Sequence, residues 1–458
     1  MRSISRIAKD IDHHLFRLAI SLLPLFMAYP NQAGANNHSP LQIYSPLLVE
    51  NHSDVLVPWI QTGIRNAVVV NVDAHDDCIP ITEEHLQKLR SLFTTGNMEA
   101  IGNANGVTDS SLYDISNFIT AAHAIGVARE VVWGVPLPGE LSKVYTHLPF
   151  QVRLIDSLAT MKIEGPVFLT VDADCVDRYA SYQCINLVEA VRRIATTLRA
   201  VPWEVKHLSI SFSHDGGYLP VTLRWVGYAL KDALEGNDVN RPGAAWQMLV
   251  EAEDWRRSLL PTGIIKKTRP LIQKHPEIPW LHTYMADALF RADSLDAAFA
   301  EGKQAMSLDA GCAYILAEIG GELANMGRYV EAERFLAEAP TVINAAAELA
   351  LAQWMDGSGQ IEGAIRHYLR INMKVANYST DLLLGYCYER LGNTGQARHH
   401  YARAVSLLTR PVSEMAGFAD LTSAVAAAEQ FLRKNGEPKA ARILRHDHRL
   451  ALYFRKRE

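Results

Sequence analysis

Three apolar runs, at 43–49, 67–72 and 167–171, are each followed closely by residues whose side chains bind metal ions. These candidate ligands are His52, Asp73, His75, Asp77, Asp172 and Asp174. A mixed set of carboxylates and imidazoles suits Mn²⁺ or Fe²⁺ better than the thiolate sites of structural zinc do. Carboxylates can bridge two ions, and paired ions acidify the water that they share. The set therefore predicts a two-metal hydrolase site.

Each cluster by itself is a weak signal. An aspartate at the end of a strand is usually a turn residue or the N-cap of a helix. Here Asp73, His75 and Asp77 alternate after one apolar run, and Asp172 and Asp174 repeat the pattern after another. The joint occurrence of both clusters favours a metal site over two unrelated turns.

The apolar runs predict strands that are buried on both faces, as in a parallel sheet covered by helices. Further strands are expected at 131–135 and 208–212, and helices at 82–93 and 186–199. We therefore predict a three-layer α/β domain over residues 41–235. Because ligands of open α/β sheets bind at the carboxyl ends of the strands, the two aspartate clusters should meet there.

The second half of the chain has a different, repetitive character. From about residue 276 alanine becomes abundant, and Ala298, Ala332, Ala364 and Ala397 recur at steps of 34, 32 and 33 residues. This pattern resembles the tetratricopeptide repeat, in which small residues let paired antiparallel helices approach each other. We expect a helical connector at 236–275, repeats at 276–410 and capping helices at 411–458. An irregular helical bundle is the alternative.

The order His…Asp-x-His-x-Asp…Asp-x-Asp resembles that of the arginase, or ureohydrolase, superfamily. The resemblance covers roughly residues 41–235 and implies an arginase/deacetylase-like fold with two manganese ions, although Fe²⁺ or Zn²⁺ would also suit the ligands. It implies one ion held by His52, Asp73, Asp77 and Asp172, and a second held by Asp73, His75, Asp172 and Asp174. Asp73 and Asp172 would bridge, and Asp77 would also orient the bridging hydroxide and take its proton.

The local sequence is most similar to that of the branch that includes peptide arginases, which convert arginine side chains within a peptide to ornithine and urea. The matching segments are Glu50-Asn51-His52 with Trp59 soon after, Ser116-Asn117-Phe118, Val132 to Pro136, and Ser213-His214-Asp215. Asp215 stands where arginases bring a glutamate to the guanidinium, and a carboxylate can bind that group bidentately. His214 is either a proton carrier or a plain turn residue.

Three functions remain open from the sequence. The first is manganese-dependent hydrolysis of a C–N bond in peptidyl arginine, with the repeats binding the polypeptide substrate. The second is a deacetylase-like amidohydrolase, and the third is a non-catalytic metal-binding scaffold whose repeats dock a peptide. Fold alone does not choose among them.

The overall composition limits the classes of protein to which this chain can belong. A net charge of −5 gives no basic footprint for nucleic acid. The five scattered cysteines contain no CxxC and are expected to be buried free thiols. Residues 1–40 read either as a signal peptide or as an amphipathic extension, which leaves both an exported and a cytoplasmic location open. No segment predicts a lasting membrane span.

Overall fold

The computed structural model describes residues 45–105, 111–140, 147–214, 219–240, 245–339, 345–374, 378–408 and 422–445. The predicted N-terminal segment at 1–40, the candidate Asp215 and most of the predicted capping region at 411–458 lie outside these residues. In the described part, a parallel sheet in the N-terminal region precedes an array of paired helices.

Six strands in the described residues form one parallel sheet in the order β1-β6-β5-β2-β3-β4. They are β1 (Leu47–Val49), β2 (Ala67–Val72), β3 (Ala128–Val135), β4 (Phe150–Leu154), β5 (Pro166–Asp172) and β6 (Glu204–Ser211). The predicted strands at 67–72, 131–135, 167–171 and 208–212 all lie within or overlap these elements. We did not predict β4, an edge strand whose residues are largely half-buried, so it lacks the unbroken apolar run of the central strands.

Both faces of the sheet are buried, and successive side chains of the central strands point alternately to the two faces. Val68, Val70 and Val72 belong to one apolar core, whereas Ala67 and Val69 belong to the core on the other face. The first face packs against α5 (Asp174–Gln183), α6 (Leu187–Arg199) and α7 (Trp225–Leu234). The second packs against α1 (Leu56–Gln61), α2 (Glu83–Thr94), α3 (Met98–Asn103) and α4 (Phe118–Ala124). The three-layer arrangement explains why the central strands read as continuous apolar runs.

The connector forms two helices that pack on the α/β domain and the array. They are α8 (Ala245–Ser258) and α9 (Pro261–Lys274). Leu249, Val250 and Ala252 of α8 lie in the same apolar core as the first face of the sheet. The connector is therefore continuous with the α/β domain and is not an open linker.

The array that follows consists of helix pairs. The helices are α10 (Pro279–Arg291), α11 (Leu295–Leu308), α12 (Tyr314–Asn325), α13 (Tyr329–Glu338), α14 (Ala345–Gly357), α15 (Ile361–Lys374), α16 (Tyr378–Arg390), α17 (Thr394–Leu408), α18 (Thr422–Lys434) and α19 (438–445). The predicted repeat alanines are completely buried. A Cβ atom on Gly385 would lie 2.4 Å from Tyr401 of the partner helix, so this glycine permits the close approach.

Each pair turns at one residue with a left-handed backbone. In the first four pairs this residue is Asp293, Gly327, Gly359 or Gly392, with φ between 57° and 82°. The steps of 34, 32 and 33 residues match those of the buried alanines. Glycine adopts this conformation without the steric cost that other residues meet. The predicted helical repeat is confirmed, and the irregular bundle does not fit this regular period.

Candidate metal centre

The candidate ligands meet where the chain reverses its direction across the sheet. Val72 of β2 pairs with Val171 of β5, so Asp73 and Asp172 end neighbouring strands. The chain continues from β2 to β3 on one side, and from β5 to β6 on the other. Such a switch point opens a crevice at the carboxyl edge of a parallel sheet. The topology thus places the two aspartate clusters as the sequence predicts.

Five of the six predicted ligands form two overlapping groups. His52, Asp73 and Asp172 form one group, and Asp73, His75 and Asp174 form the other, with the ligand atoms of each group within 4.8 Å of one another. Asp73 is common to both groups. Of these five side chains only that of His75 is substantially exposed, at 35%. Two groups that share a carboxylate have the arrangement that a pair of bridged ions requires.

The sixth predicted ligand, Asp77, lies beside the first group. One of its carboxylate oxygens is 3.2 Å from Nδ1 of His52, and Asp73 Oδ2 is equally close to that nitrogen. Asp77 has a left-handed backbone, with φ of 52°, which turns the chain back toward the strand end. Asp76 also lines the cavity at this site, but it belongs to neither ligand group, and its Oδ1 accepts a hydrogen bond of 3.1 Å from the backbone N–H of Cys78.

Three residues to which the sequence assigned no role at the site hold the candidate ligands in place. Asn71, buried in β2, donates hydrogen bonds of 3.3 Å to both Asp73 and Asp77. Ser213 donates its hydroxyl to Asp172, and the indole N–H of Trp133 donates to the backbone oxygen of Asp73 at 3.0 Å. A polar residue within an apolar strand, such as Asn71, was the available signal, because a buried amide needs partners.

Backbone donors complete this support. The N–H of His75 donates to Asp73 Oδ1, and the N–H of Asp174 donates to Asp172 Oδ1, each at 2.9 Å. The alternate spacing within each cluster thus lets the first aspartate accept a hydrogen bond from the second ligand's own backbone. These bonds fix the carboxylates of Asp73 and Asp172, the two residues that the resemblance assigns as bridges.

The electrostatics of the group call for added positive charge. Burial, together with the neighbouring carboxylate of Asp77, raises the pKa of Asp73 well above its usual range. Burial and the Asp172 carboxylate raise the pKa of Asp174 to about 6. Burial opposes the charged form of His52, but the carboxylates of Asp172 and Asp73 outweigh it and raise its pKa. Such mutual repulsion is unfavourable unless cations offset it.

Two further observations show that the residues fit metal ions. The buried Asp174 Oδ1, an atom of a candidate ligand, has no hydrogen-bond partner, and His52 Nδ1 makes no hydrogen bond although carboxylate oxygens of Asp73 and Asp77 lie 3.2 Å away. Buried polar atoms are nearly always satisfied, so orphaned ones indicate an ion or water. Two divalent cations would supply the missing partners and the positive charge together.

A cavity of about 170 Å³ opens at this site. Its lining includes His52, Asp73, His75, Asp77, Asp172, Ser213, Ile79 and Ile115. Ile79 is 52% exposed and gives the cavity an apolar rim. A space of this size is large enough for the end of one side chain.

Of the two further catalytic residues predicted from the sequence, His214 and Asp215, the structure describes only His214. His214 is buried outside the lining of the cavity, its Nδ1 lies 2.7 Å from the backbone oxygen of Leu219, and its ring contacts Phe212 and Tyr314. Burial, with the nearby Arg224 guanidinium, lowers the pKa of His214 to about 4. This packing gives no geometric support to His214 as a proton carrier. Asp215 lies outside the described residues, so its role stays a prediction.

The cysteine expectation needs one correction. Cys78, Cys175, Cys312 and Cys387 are buried free thiols, but Cys184 is exposed. Cys184 ends α5 with a left-handed backbone, and this terminal position turns its side chain away from the core. Cys78 and Cys175 adjoin candidate ligands in sequence but belong to the apolar cores on either side of the sheet.

A larger cavity of about 510 Å³ lies between the α/β domain and the array. Pro220 and Thr222 line it from the α/β side, and residues of α10 and α12, including Phe290, Glu318 and Glu322, line it from the array. The backbone N–H of Val221 donates to Glu318 at 2.8 Å, which fixes the first helix pairs against the domain. The start of the array is thus held directly against the α/β domain.

Comparison with known proteins identifies no family. No protein-family model matches the chain, and neither does any curated protein. A structure of PilF from Pseudomonas aeruginosa is 16% identical, covers 42% of this chain and 85% of that chain, and has a TM-score of 0.24. PilW, a type IV pilus biogenesis factor, is 16% identical over 42% of this chain and 87% of that chain, with a TM-score of 0.21.

The Cut9–Hcn1 hetero-tetramer is a further match, at 14% identity over 59% of this chain and 52% of that chain, with a TM-score of 0.23. TM-scores this low do not establish a shared fold with any of these proteins. Among the described helices, none combines the length and the apolar character that crossing a bilayer requires.

Proposed function

We propose that the α/β domain is a binuclear metallohydrolase of the arginase type, which cleaves a C–N bond in the guanidino group of peptidyl arginine. The observation that carries this proposal is the pair of ligand groups sharing Asp73 at the switch point of the sheet. More ligands converge there than one tetrahedral ion uses. Mn²⁺ is the favoured metal, since oxygen and imidazole ligands predominate.

The ligands divide between two ions in this proposal. His52, Asp73 and Asp172 would hold one ion, with Asp77 beside them, and Asp73, His75 and Asp174 would hold the other. Paired divalent ions supply a water that is acidic enough to attack at neutral pH. Asp77, whose carboxylate accepts a hydrogen bond from Asn71 and lines the cavity, would accept a proton in this proposal. Hydrolysis of the guanidino group then yields ornithine in the peptide and free urea.

Metal analysis and urea release test this proposal together. The full chain reconstituted with Mn²⁺ should hold close to two ions and release urea from arginine-containing peptides. Chelation should remove the activity, and Mn²⁺ should restore it. One tightly held ion with Zn²⁺ preferred, and acyl-group removal in place of urea release, would favour the deacetylase-like function instead. Two bound ions without any turnover would favour a scaffold.

The choice of a polypeptide over a free amino acid rests on the array. The small cavity takes the end of one side chain, and the larger cavity beside the array offers room for more of the peptide. Stacked helix pairs form extended concave surfaces of the kind that hold peptides. A peptide held by the array would bring its target arginine to a higher local concentration at the site.

A charge reversal in the groove tests this part with the whole chain. Glu322 is an exposed residue that lines the larger cavity, and Glu322→Lys should raise KM for arginine-containing peptides several-fold. Its kcat for small guanidines such as agmatine should not change. Equal KM values for peptides in the two proteins, or a clear preference of the wild type for free arginine, would contradict a peptide-binding array.

A further inference from the structure

Arg224 is a buried arginine that joins the candidate metal centre to the helical array. It precedes α7, and only 3% of the residue is exposed. Nη1 and Nη2 donate to the two carboxylate oxygens of Glu50 at 2.9 and 2.7 Å. Nε donates to Asp309 of the array at 2.9 Å, and the guanidinium lies 4.0 Å from the centre of the Phe212 ring. A charge buried this deeply requires such complete pairing.

On the α/β side, the arginine holds the segment that carries a candidate ligand. Glu50 directly follows β1 and is two residues before His52. Its backbone oxygen accepts a hydrogen bond of 2.9 Å from Ser213, whose hydroxyl in turn donates to Asp172. The Glu50 carboxylate therefore anchors the short segment that carries His52. Through Ser213, the same segment is also connected to Asp172.

On the array side, the turn after α11 is shaped around the same guanidinium. Asp309 accepts from Arg224, and its other carboxylate oxygen accepts the backbone N–H of Gly311 at 2.9 Å. A Cβ atom on Gly311 would lie 2.0 Å from the central carbon of the guanidinium. Tyr228 adds a hydrogen bond of 3.3 Å to Asp309. The turn between the first two helix pairs thus packs tightly against Arg224, and position 311 has no room for a residue larger than glycine.

We propose that Arg224 is a positioning residue through which the docked array sets the geometry of the His52 ligand. The inference rests on the proposed metal centre, and it adds that the array is required to shape one of the two ion sites. Without the Asp309 contact, the guanidinium loses one fixed point and Glu50 loses its rigid partner. The ion held by His52 should then bind more weakly, whereas the ion held by His75 and Asp174 should be less affected. Losing a residue that supports a metal ligand typically costs about 10- to 100-fold in affinity.

Two variants and one matched control test this coupling in the full chain. Asp309→Asn changes only the array side, and Arg224→Lys keeps the charge but cannot bind Glu50 bidentately. Arg256→Lys is the control, because Arg256 also pairs bidentately with a glutamate, donating through Nε and Nη2 to Glu253 at 2.7 Å each, and it contacts no candidate ligand. Mn²⁺ titration should show one of the two affinities falling at least 10-fold in both variants and neither affinity changing in the control.

Hydrogen exchange in the metal-free protein supplies a measurement that does not depend on metal binding. The amides of Phe212 and Ser213, which bond to Val49 and Glu50, should exchange at least 10-fold faster in Asp309→Asn than in the wild type or the control. Wild-type exchange rates and wild-type Mn²⁺ affinities in both variants would overturn the inference, even if all three proteins melt at a lower temperature. A wild type that binds no metal, together with faster exchange in the variants, would instead overturn the proposed function while the coupling stands.

Discussion

Replacing the shared ligand should remove the stabilisation that metal ions give to the protein. Asp73 belongs to both ligand groups and is completely buried, so Asp73→Asn affects both ions at once. The change keeps the shape of the side chain, and an amide oxygen can still accept the hydrogen bond from the His75 N–H. We expect the variant to fold and to lose most of its Mn²⁺ binding.

The size of the effect follows from binding linkage. An ion present at 100 times its dissociation constant adds about 2.7 kcal/mol to the free energy of unfolding, so two independent ions add about 5 kcal/mol. For an α/β domain of this size, that corresponds to a rise in Tm of roughly 10 °C or more. Without metal, Asp73→Asn should be at least as stable as the wild type, because burial and the Asp77 carboxylate already disfavour the charged form of Asp73 and an amide carries no charge.

Thermal unfolding with Mn²⁺ and with a chelator measures both effects, and elemental analysis counts the ions. Asp76→Asn is the matched control, because it removes a carboxylate from the same loop while its amide oxygen can still accept the Cys78 N–H. The control should keep the full Mn²⁺-dependent shift. A variant at position 73 that retains two ions and the full shift would refute the assignment of Asp73 as a shared ligand.

Three further predictions concern the array and the thiols. Gly385→Ala should lower the free energy of unfolding by about 1–3 kcal/mol in urea titrations, because its Cβ would overlap the facing tyrosine, whereas Gly357→Ala meets nothing within 4 Å and should not destabilise the chain. His367 bonds to the carboxylates of Glu348 and Glu333, and despite burial these raise its pKa from 6.5 to about 8, so its stabilisation is complete below pH 6.5 and is lost as the pH rises through 8. Between pH 6 and 9 the wild type should lose about 2 kcal/mol of its free energy of unfolding relative to His367→Gln. A difference between the two proteins that does not change with pH would contradict this prediction. A thiol reagent should modify only Cys184 rapidly in the native chain, and rapid reaction of a second thiol would show that the cores open.

The sequence was most informative where a local pattern matches a long-range constraint. The β2 and β5 runs predicted buried strands because both faces of these strands contact apolar helices, and strand ends in a parallel sheet meet at one edge. The steps between buried alanines predicted the helix pairs for a similar reason, since each step is one structural unit. In both cases, one residue type must recur at a spacing that the fold imposes.

Supporting contacts followed a different rule and were not predicted. Arg224 pairs with Glu50 at a separation of 174 residues, and Ser213 donates to Asp172 at a separation of 41. Neither residue type carries a signal in its own neighbourhood, because arginine and serine are common on surfaces. Their roles depend on which strands and helices become neighbours, and no local spacing encodes that.

The contacts between the domain and the array change how the function of the repeats has to be tested. Ile278, Leu281 and Tyr284 of the first array segment are part of the core of the α/β domain, and Val221 of the α/β domain is part of the core of the array. A chain that ends near residue 260 would expose these apolar surfaces and leave Arg224 without Asp309. Loss of peptide turnover in such a chain would therefore not distinguish a missing peptide groove from a disordered metal centre.

Single changes inside the intact protein separate these causes. Glu322→Lys alters the groove without touching Arg224, and Asp309→Asn alters the junction at a residue that does not line the larger cavity. A KM effect confined to the first variant and a metal-affinity effect confined to the second would assign the array two separate roles, in holding the substrate and in shaping the site.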